Sequence, residues 1–482
     1  MIFSTYKFIF LFLPIVFFGY FLLGKLQQKS LMKIWLIICS FFFYAYGDLR
    51  FSPFFLASVV FNYLVGIELG KINNDSRSQK KILLTVGILA NVALLGYFKY
   101  TDFFISNFNL ISGKEVPLKH IVLPIGISFF TFQLIAFLVD SYKGETKDYS
   151  IIDYLLFITF FPQLIVGPII HHGEAVPQFS NSDNLKINSK NICIGLLMFS
   201  FGCAKKILLA DPLTEQAQVF FDSISSLDDI PNILSAWYHS IEYTISYYFD
   251  LSGYADMAIG LGFLFNIELP ENFDSPYKAR NFQDYWRGWH KTLSHFLSDY
   301  IFRSWYNKGK KFHGYYAATM VTFFVSGFWH GAGWTFVAWG LINGLFVCTA
   351  SWMKRKGKSF PAFVAFPLTW LGVIACRVLF VSKTFKDSWT VFRGMLNFRS
   401  IENFEAVTKL LRSYELANIG TLLVVIAICW TLPNTGVVRR KFASYIETDN
   451  KRAYFWIVLS AVLLILSMMH MNKVASFLYF QF

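Results

Sequence analysis

The chain has 482 residues, of which 55% are hydrophobic, 20% aromatic and only 15% charged, with a formal net charge of +13. Soluble domains are roughly 45–50% apolar and about 25% charged, so this composition excludes a water-soluble globule, and it also excludes a disordered chain or a coiled coil. The six cysteines show neither metal-ligand nor redox spacing and are interpreted as packing residues. The basic excess lies between apolar runs, which indicates cytoplasmic loops of a membrane protein and no nucleic-acid partner.

Apolar stretches long enough to cross a bilayer recur along the chain, since a helix needs about 20 residues to span roughly 30 Å of hydrocarbon. The first run has no small-residue cleavage site, so we expect it to remain as a transmembrane helix. Runs near 232–266 and 315–352 contain polar or glycine-rich interruptions, which predict broken or re-entrant helices. We therefore predict an all-α polytopic membrane protein of about ten to twelve crossings. Besides the two interrupted runs, uninterrupted spans are expected near residues 8–24, 32–47, 52–67, 82–98, 120–139, 151–170, 188–209, 361–382, 416–432 and 453–470.

Loop charge predicts the orientation of the chain. Basic residues cluster after the first span, at 25–33, after the third span, at 71–81, and before the last span, at 439–452. We expect these loops in the cytoplasm and both termini outside. The sequence has no internal repeat and few charges within its apolar runs, which weakens the alternative of a transporter or channel.

His330 is the sharpest candidate for chemistry. It is the only His, Lys, Arg, Asp or Glu between residues 313 and 354, within the apolar run SGFWHGAGWTFVAWG. Because an ionisable side chain in a bilayer is costly, it is by default a functional candidate. The flanking Gly327, Gly331 and Gly333 allow another backbone or a long ligand to come close. A neutral imidazole there can take a proton from a hydroxyl group, so we predict that His330 is catalytic.

The segment 272–306 is amphipathic and rich in charge. On a helix, Trp286, His290 and Ser294 lie on one face at four-residue spacing. Tryptophan with basic neighbours is typical of a helix at the membrane interface, which explains Trp286 and Trp289. Interfacial anchoring explains His290 less well, so His290 is the second candidate.

Three acidic residues also lie among apolar ones. Asp250 and Asp256 stand in FDLSGYADMAIGLG, and Asp140 ends another apolar run. For all three, pairing with a lysine or arginine, or capping of a broken helix, is favoured over direct catalysis.

Five motifs in chain order resemble the membrane-bound O-acyltransferases, and within them the alginate and peptidoglycan O-acetylation branch. They are LPIGISFFTFQLIAFLVDSYKGE, FFPQLIVGPI, FDLSGYADMAIGLG, ENFDSPYKARNFQDYWRGWHKTLSHFLSDYIF and SGFWHGAGWTFVAWG, which begin at residues 123, 160, 249, 271 and 326. The resemblance identifies residues 123–340 as the catalytic core of one membrane domain, 1–482. It implies a ring of helices around a central funnel, in which cytoplasmic acetyl-CoA meets its acceptor.

The resemblance also carries over site residues. His290 matches the histidine of the family's interfacial Trp-His motif, and His330 matches the catalytic histidine of its buried Trp-His-Gly motif. Gln283 and His295 stand where basic residues are common in the family, so no donor-binding residue is assigned. No metal and no cofactor are implied, since acetyl-CoA is the acyl donor substrate.

The last six residues, FLYFQF, lie in a C-terminal tail at 471–482. They resemble the Phe-x-Tyr-x-x-Phe motif of this branch, which also ends the small partner peptide of teichoic acid D-alanylation. There the tyrosine is proposed to carry the acyl group, and Tyr479 is the matching residue here. The alternative is an aromatic anchor at the interface.

These observations predict an enzyme of a bacterial inner membrane. It would transfer acetyl from cytoplasmic acetyl-CoA across the membrane for O-acetylation of a cell-envelope glycan, with an extracytoplasmic esterase-like transferase as its partner. The motifs do not distinguish peptidoglycan from alginate as the acceptor. The alternatives are D-alanyl transfer to teichoic acid and a membrane transporter without acyltransferase chemistry.

Overall fold

The computed structural model describes residues 1–72, 76–227, 229–306, 313–401 and 416–471. The described residues are 80% helical and contain no strand, which confirms the predicted all-α class. Helices satisfy every backbone N–H and C=O within the segment, as a bilayer requires. The α-helices are α1 (Leu13–Lys25), α2 (Lys29–Ala45), α3 (Ser52–Lys71), α4 (Arg77–Ser112), α5 (Ile127–Lys143), α6 (Ile151–Thr159), α7 (Phe161–Leu164), α8 (His172–Ser180), α9 (Ser189–Cys203), α10 (Asp211–Ser223), α11 (Ile233–Leu264), α12 (Phe282–Gly288), α13 (Lys291–Leu297), α14 (Arg303–Trp305), α15 (His313–His330), α16 (Trp334–Arg355), α17 (Ala362–Val381), α18 (Phe385–Met395), α19 (Leu416–Thr431), α20 (Thr435–Glu447) and α21 (Arg452–His470).

Within the described ranges, seven helical segments are long and apolar enough to cross a membrane, and a bent pair, Ile419–Thr431 with Thr435–Glu447, makes an eighth if it is one span. The polytopic class is therefore confirmed, whereas the count of ten to twelve crossings is not. The seven segments are Phe8–Lys25, Leu49–Lys71, Arg77–Ser112, Ser189–Ser226, Trp334–Arg355, Ala362–Val381 and Arg452–His470.

Helix α11 shows that the predicted interruption near 232–266 is wrong, because it is continuous over 32 residues. The acidic group that suggested a break has a partner within the protein, since Asp250 Oδ1 lies 2.8 Å from Lys206 Nζ. Gly253 lets a neighbouring backbone approach, because a Cβ there would lie 2.8 Å from the Gly202 carbonyl oxygen. The predicted pairing of Asp250 is thus confirmed, and a paired charge on a buried face is compatible with an intact helix.

The predicted continuous span near 151–170 is also wrong. The chain instead forms α6 and the short α7, which are separated at Phe160. Pro162 lies in the first turn of α7. Because proline has no N–H and its ring clashes with the preceding turn, α6 cannot continue through this position.

The chain forms two compact units. The first comprises Met1–Ser200, Ala255–Pro270 and Tyr445–Ser460, and the second comprises the other described residues. The core of the first is aromatic and includes Phe43 and Phe161, whose ring centroids are 5.6 Å apart. The second carries both candidate histidines. The predicted single domain, with its core at 123–340, stays a prediction.

Candidate active site

The candidate base His330 is the last residue of α15, and α16 begins after three further residues, at Trp334. The predicted break in this apolar run is therefore confirmed. Two glycines let the two helices touch, since a Cβ on Gly327 would lie 2.5 Å from the Phe336 carbonyl oxygen and 3.1 Å from Gly340 Cα. The glycines thus serve the close approach of α15 and α16, which positions His330 at the turn.

Hydrogen bonding assigns the tautomer of the His330 ring. The side chain is only 5% exposed, and its Nδ1 lies 2.6 Å from the carbonyl oxygen of Ser326, four residues earlier on α15. A carbonyl oxygen only accepts, so Nδ1 carries the proton and donates it. In the neutral ring the lone pair is then on Nε2, which is the atom able to act as a general base.

Aromatic rings enclose His330. The ring centroids of Trp329 and Trp339 each lie 4.8 Å from the centroid of the imidazole, and Phe380 lies at 5.7 Å. All three pairs meet edge to face, a favourable geometry for aromatic rings. This cage fixes the orientation of the base and limits access of water to it.

His290 lies where the predicted amphipathic helix is interrupted. The chain forms α12 and α13 with His290 at the break, in the left-handed conformation with φ +46°. A tertiary contact causes the break. The backbone carbonyl oxygen of Asn272 accepts the N–H of Lys291, the first residue of α13, at 2.8 Å, so a new helix starts there. The predicted single helical face of Trp286, His290 and Ser294 is therefore wrong.

The two central residues of this segment are buried, and neither is an interfacial anchor. Trp289 and His290 are each 3% exposed. Burial lowers the pKa of His290 to about 4, so this ring is neutral at pH 7. Within the described part of the chain, its Nδ1 has no hydrogen-bond partner. A strained, buried histidine with an unsatisfied nitrogen is typical of a functional position.

We expect His290→Ala to lower the turnover number by about 10²-fold, because a misplacement of about 1 Å has that cost. His290→Asn separates chemistry from backbone, since asparagine tolerates the left-handed conformation that strains alanine. Initial-rate kinetics on the purified proteins give the turnover number of each of the two His290 variants. The exposed His120, which also has the left-handed conformation with φ +47°, offers the control His120→Ala. Full turnover in His290→Asn would leave His290 with a conformational role only.

A pocket of about 330 Å³ is lined by residues of α12, α13, α15 and α16. It reaches Ser326, whose carbonyl holds the His330 ring, and Trp286, whose indole N–H donates to Asn343 Oδ1 at 3.2 Å. Its other walls combine apolar, basic and amide side chains. They include the two positions at which basic residues are common in the resembling family, and the full lining is Gln283, Trp286, Arg287, Lys291, Leu293, Ser294, His295, Leu297, Tyr315, Thr322, Phe323, Ser326 and Val347.

Sequence reasoning missed Arg377. This residue lies in α17, within a run interpreted as a plain span, and is 4% exposed. Its guanidinium carbon lies 4.1 Å from the ring centroid of Tyr247 and 5.1 Å from those of Trp289 and Phe380. The signal was available, because Arg377 is the only charged residue of α17. The rule that selected His330, that an intramembrane charge is a functional candidate, also selects Arg377.

The acidic residue Asp140 lies in the first unit and is fully buried. Its predicted pairing is confirmed, with Lys143 Nζ at 2.8 Å from Oδ1. His171 and His172 each place Nε2 about 3 Å from Oδ2. Together with Glu145 these groups resemble a metal site, since their ligand atoms lie within 4.8 Å of one another.

The hydrogen bonds of that cluster favour a proton network over a metal. The Gly173 N–H donates to His171 Nδ1 at 3.1 Å, so the neutral ring carries its proton on Nε2 and donates it to Asp140. Metal coordination needs a lone pair on that same nitrogen. The hydrogen bond to Asp140 raises the pKa of His171. The prediction of no metal stays a prediction.

The third candidate, Tyr479, lies outside the described residues, as does the whole FLYFQF motif. His290, His330 and Arg377 all lie in the second unit, where the Phe380 ring contacts both the Arg377 guanidinium and the His330 ring. The role of Tyr479 stays a prediction from the sequence.

Comparison with known proteins identifies the family. The model of the membrane-bound O-acyltransferase family matches residues 36–382, which include His290, His330 and Arg377. The chain belongs to the membrane-bound O-acyltransferase family. It is accordingly an acyltransferase and a multi-pass membrane protein, and the resemblance inferred from the motifs is confirmed.

Relatives of this O-acyltransferase come from bacteria, with which a bacterial inner membrane is consistent. It is 40% identical over 431 residues to the peptidoglycan O-acetyltransferase of Helicobacter pylori, covering 83% of this chain and 81% of the relative. It is 33% identical over 456 residues to the probable alginate O-acetylase AlgI of Azotobacter vinelandii, covering 92% and 88%. The teichoic acid D-alanyltransferase of Streptococcus thermophilus is 27% identical over 57% of this chain and 69% of the relative.

Proposed function

We propose that this O-acyltransferase takes acetyl from acetyl-CoA and supplies it for O-acetylation of a cell-envelope glycan, with His330 as the general base. The observation that carries the proposal is the buried His330, whose tautomer places a lone pair on Nε2. Acetyl is favoured over D-alanyl because the two O-acetylating relatives are more similar and cover more of the chain. Peptidoglycan is favoured over alginate on the 40% identity to the peptidoglycan enzyme.

The chemistry needs only groups that the chain and its substrates supply. His330 Nε2 takes the proton of the acceptor hydroxyl as its oxygen attacks the carbonyl carbon of the thioester. A C–O bond forms, the C–S bond breaks, and the sulfur leaves with the bonding electron pair. The proton held by His330 then passes to the sulfur, so the products are the acetyl ester and the free thiol of CoA.

The pocket lined by Trp286 and Ser326 is the proposed donor site. Acetyl-CoA carries several phosphate groups, and Arg287, Lys291 and His295 line this pocket. Lys291 is half-buried, which suits a charge-assisted hydrogen bond to phosphate. The thioester end would lie toward Ser326 and His330.

Purified protein given acetyl-CoA and a soluble alcohol acceptor tests the proposal by release of free CoA thiol. We expect Lys291→Glu to raise KM for acetyl-CoA about tenfold or more, since loss of a charge-assisted contact costs about 1.5–3 kcal/mol. The turnover number should change little, because this contact is the same in ground and transition states. Lys356→Glu is the control, as that lysine is exposed and outside the pocket.

An active enzyme in which both lysine variants behave alike would place the donor elsewhere. An enzyme that releases no CoA from acetyl-CoA would contradict the acetyl donor itself. Release of a thiol from a D-alanyl thioester instead would favour teichoic acid D-alanylation.

We further propose that the acetyl group passes through Tyr479 to an extracytoplasmic esterase-like transferase. A phenolic hydroxyl is a workable acyl acceptor, and a covalent relay divides one transfer across a membrane into two easier ones. The family match ends at residue 382, so this proposal is supported only by the FLYFQF motif.

A further inference from the structure

We propose that the Arg377 guanidinium stabilises the negative charge that develops on the acyl group during transfer. This inference rests on the proposed acetyl transfer and adds a residue to it. Arg377 is a single cation within a membrane-spanning helix, and it lies in the second unit together with both candidate histidines.

The first argument is the charge balance around Arg377. The side chain is 4% exposed, and the described residues place no carboxylate within ion-pair distance of it. Its Nε has no hydrogen-bond partner in the part of the chain that the structure describes. Arginine stays protonated in proteins, and an unpaired buried charge is costly. Such a group is therefore expected to have a use for its charge.

The second argument is the nature of the groups that hold the cation. The ring of Tyr247 lies 4.1 Å from the guanidinium carbon, and those of Trp289 and Phe380 lie at 5.1 Å. The neutral side chain of Tyr285 belongs to the same cluster, since its ring centroid lies 5.6 Å from that of Trp289. Cation–π contacts and neutral phenols stabilise a guanidinium without neutralising it. The positive charge is thus retained inside the protein.

The third argument is position. Phe380, which contacts the guanidinium, also contacts the His330 ring, with 5.7 Å between the two ring centroids. Trp289, which contacts it too, precedes His290 in the chain and stacks on Tyr247 at 6.0 Å with an interplanar angle of 11°. One ring that holds Arg377 therefore contacts His330, and another belongs to the residue before His290.

The chemistry of thioester attack produces the charge that such a cation would stabilise. When the hydroxyl oxygen bonds to the carbonyl carbon, the π electron pair moves onto the carbonyl oxygen, and when the C–S bond breaks, the electron pair leaves on sulfur. Both species are anionic, and electrostatic stabilisation is strongest in a site that excludes water. A preorganised buried cation needs no reorganisation to provide it.

A purely structural role is the competing explanation, since Arg377 also ties the aromatic cluster together. The two roles differ in what they change. If Arg377 only stabilises the packing of the aromatic rings, its replacement should lower the melting temperature and should change the turnover number and KM together through loss of folded protein. A group that acts on developing charge lowers the turnover number and leaves KM for the donor nearly unchanged.

The test measures CoA release by purified wild type, Arg377→Gln and Arg377→Lys, together with their melting temperatures in detergent. We expect Arg377→Gln to lower the turnover number by about 10²- to 10³-fold, the usual loss when one stabilising donor is removed, with KM for acetyl-CoA within about threefold. Arg377→Lys keeps the charge and should recover at least tenfold of that loss. Trp370→Phe is the matched control, because Trp370 packs on Tyr277 from the same helix α17 and carries no charge.

Each outcome decides the question. A turnover number for Arg377→Gln within threefold of wild type, or equal to that of Trp370→Phe at the same melting temperature, would overturn the inference. If Arg377→Gln does not accumulate, Arg377→Lys decides, since a stable lysine variant with a loss beyond 10²-fold would contradict a role for charge. Wild type without any CoA release would instead contradict the proposed function, so the two failures are distinguishable.

Discussion

Replacing His330 with alanine should abolish acetyl transfer while the protein still inserts into the membrane. Loss of a general base costs about 10²- to 10⁴-fold, and the hydrogen bond from Nδ1 to Ser326 assigns the lone pair to Nε2. The 5% exposure of the ring leaves little room for water to act as the base in its place. The measurement is ester content of the envelope glycan in a strain that expresses only the variant, with the protein level followed by immunoblot.

His470 provides a matched control for this prediction. It also ends a long helix, α21, and its Nδ1 lies 2.9 Å from the carbonyl oxygen of Leu466, again four residues earlier. Unlike His330, it is exposed. We expect His470→Ala to retain glycan acetylation, because His470 has in common with His330 only the hydrogen bond from Nδ1 to a backbone carbonyl of its own helix. Near-normal ester content in the His330→Ala strain would reject His330 as the base.

Tyr479→Phe should abolish glycan acetylation with expression unchanged. The substitution keeps the ring and its preference for the membrane interface, so an anchor should tolerate it within about 0.5 kcal/mol, as surface changes usually are. A relay cannot tolerate it, because no nucleophilic oxygen remains to accept the acyl group. The readout is again the ester content of the glycan.

Labelling tests the relay directly. Wild-type protein given labelled acetyl-CoA should hold a hydroxylamine-sensitive label in its C-terminal peptide, and both His330→Ala and Tyr479→Phe should lack it. Tyr479 carries the only hydroxyl group of the FLYFQF motif, so a label on oxygen there has one acceptor. Acetylated glycan at wild-type levels in the Tyr479→Phe strain would return Tyr479 to an anchoring role and favour direct transfer at His330.

The sequence alone determined the class of the protein and its family, and it selected His290 and His330 as candidate site residues. Hydropathy is a local property, and a bilayer allows few structures other than helices, so an all-α membrane protein follows from composition and run length. The break beside His330 was also predictable, because glycines and a lone ionisable residue interrupt an apolar run. Arg377 could have been found by the same rule that selected His330, applied to α17.

Only the tertiary structure decided which interruptions are real and what each site residue contacts. Asp250 does not break α11, because Lys206 from a distant part of the chain pairs with it. The helix through His290 does break, because Asn272 accepts the N–H that starts α13. The tautomer of His330 and the aromatic cage of Arg377 depend likewise on contacts made in the fold. Periodicity reports neighbours along a helix, whereas these partners are far apart in sequence and meet only when the helices pack.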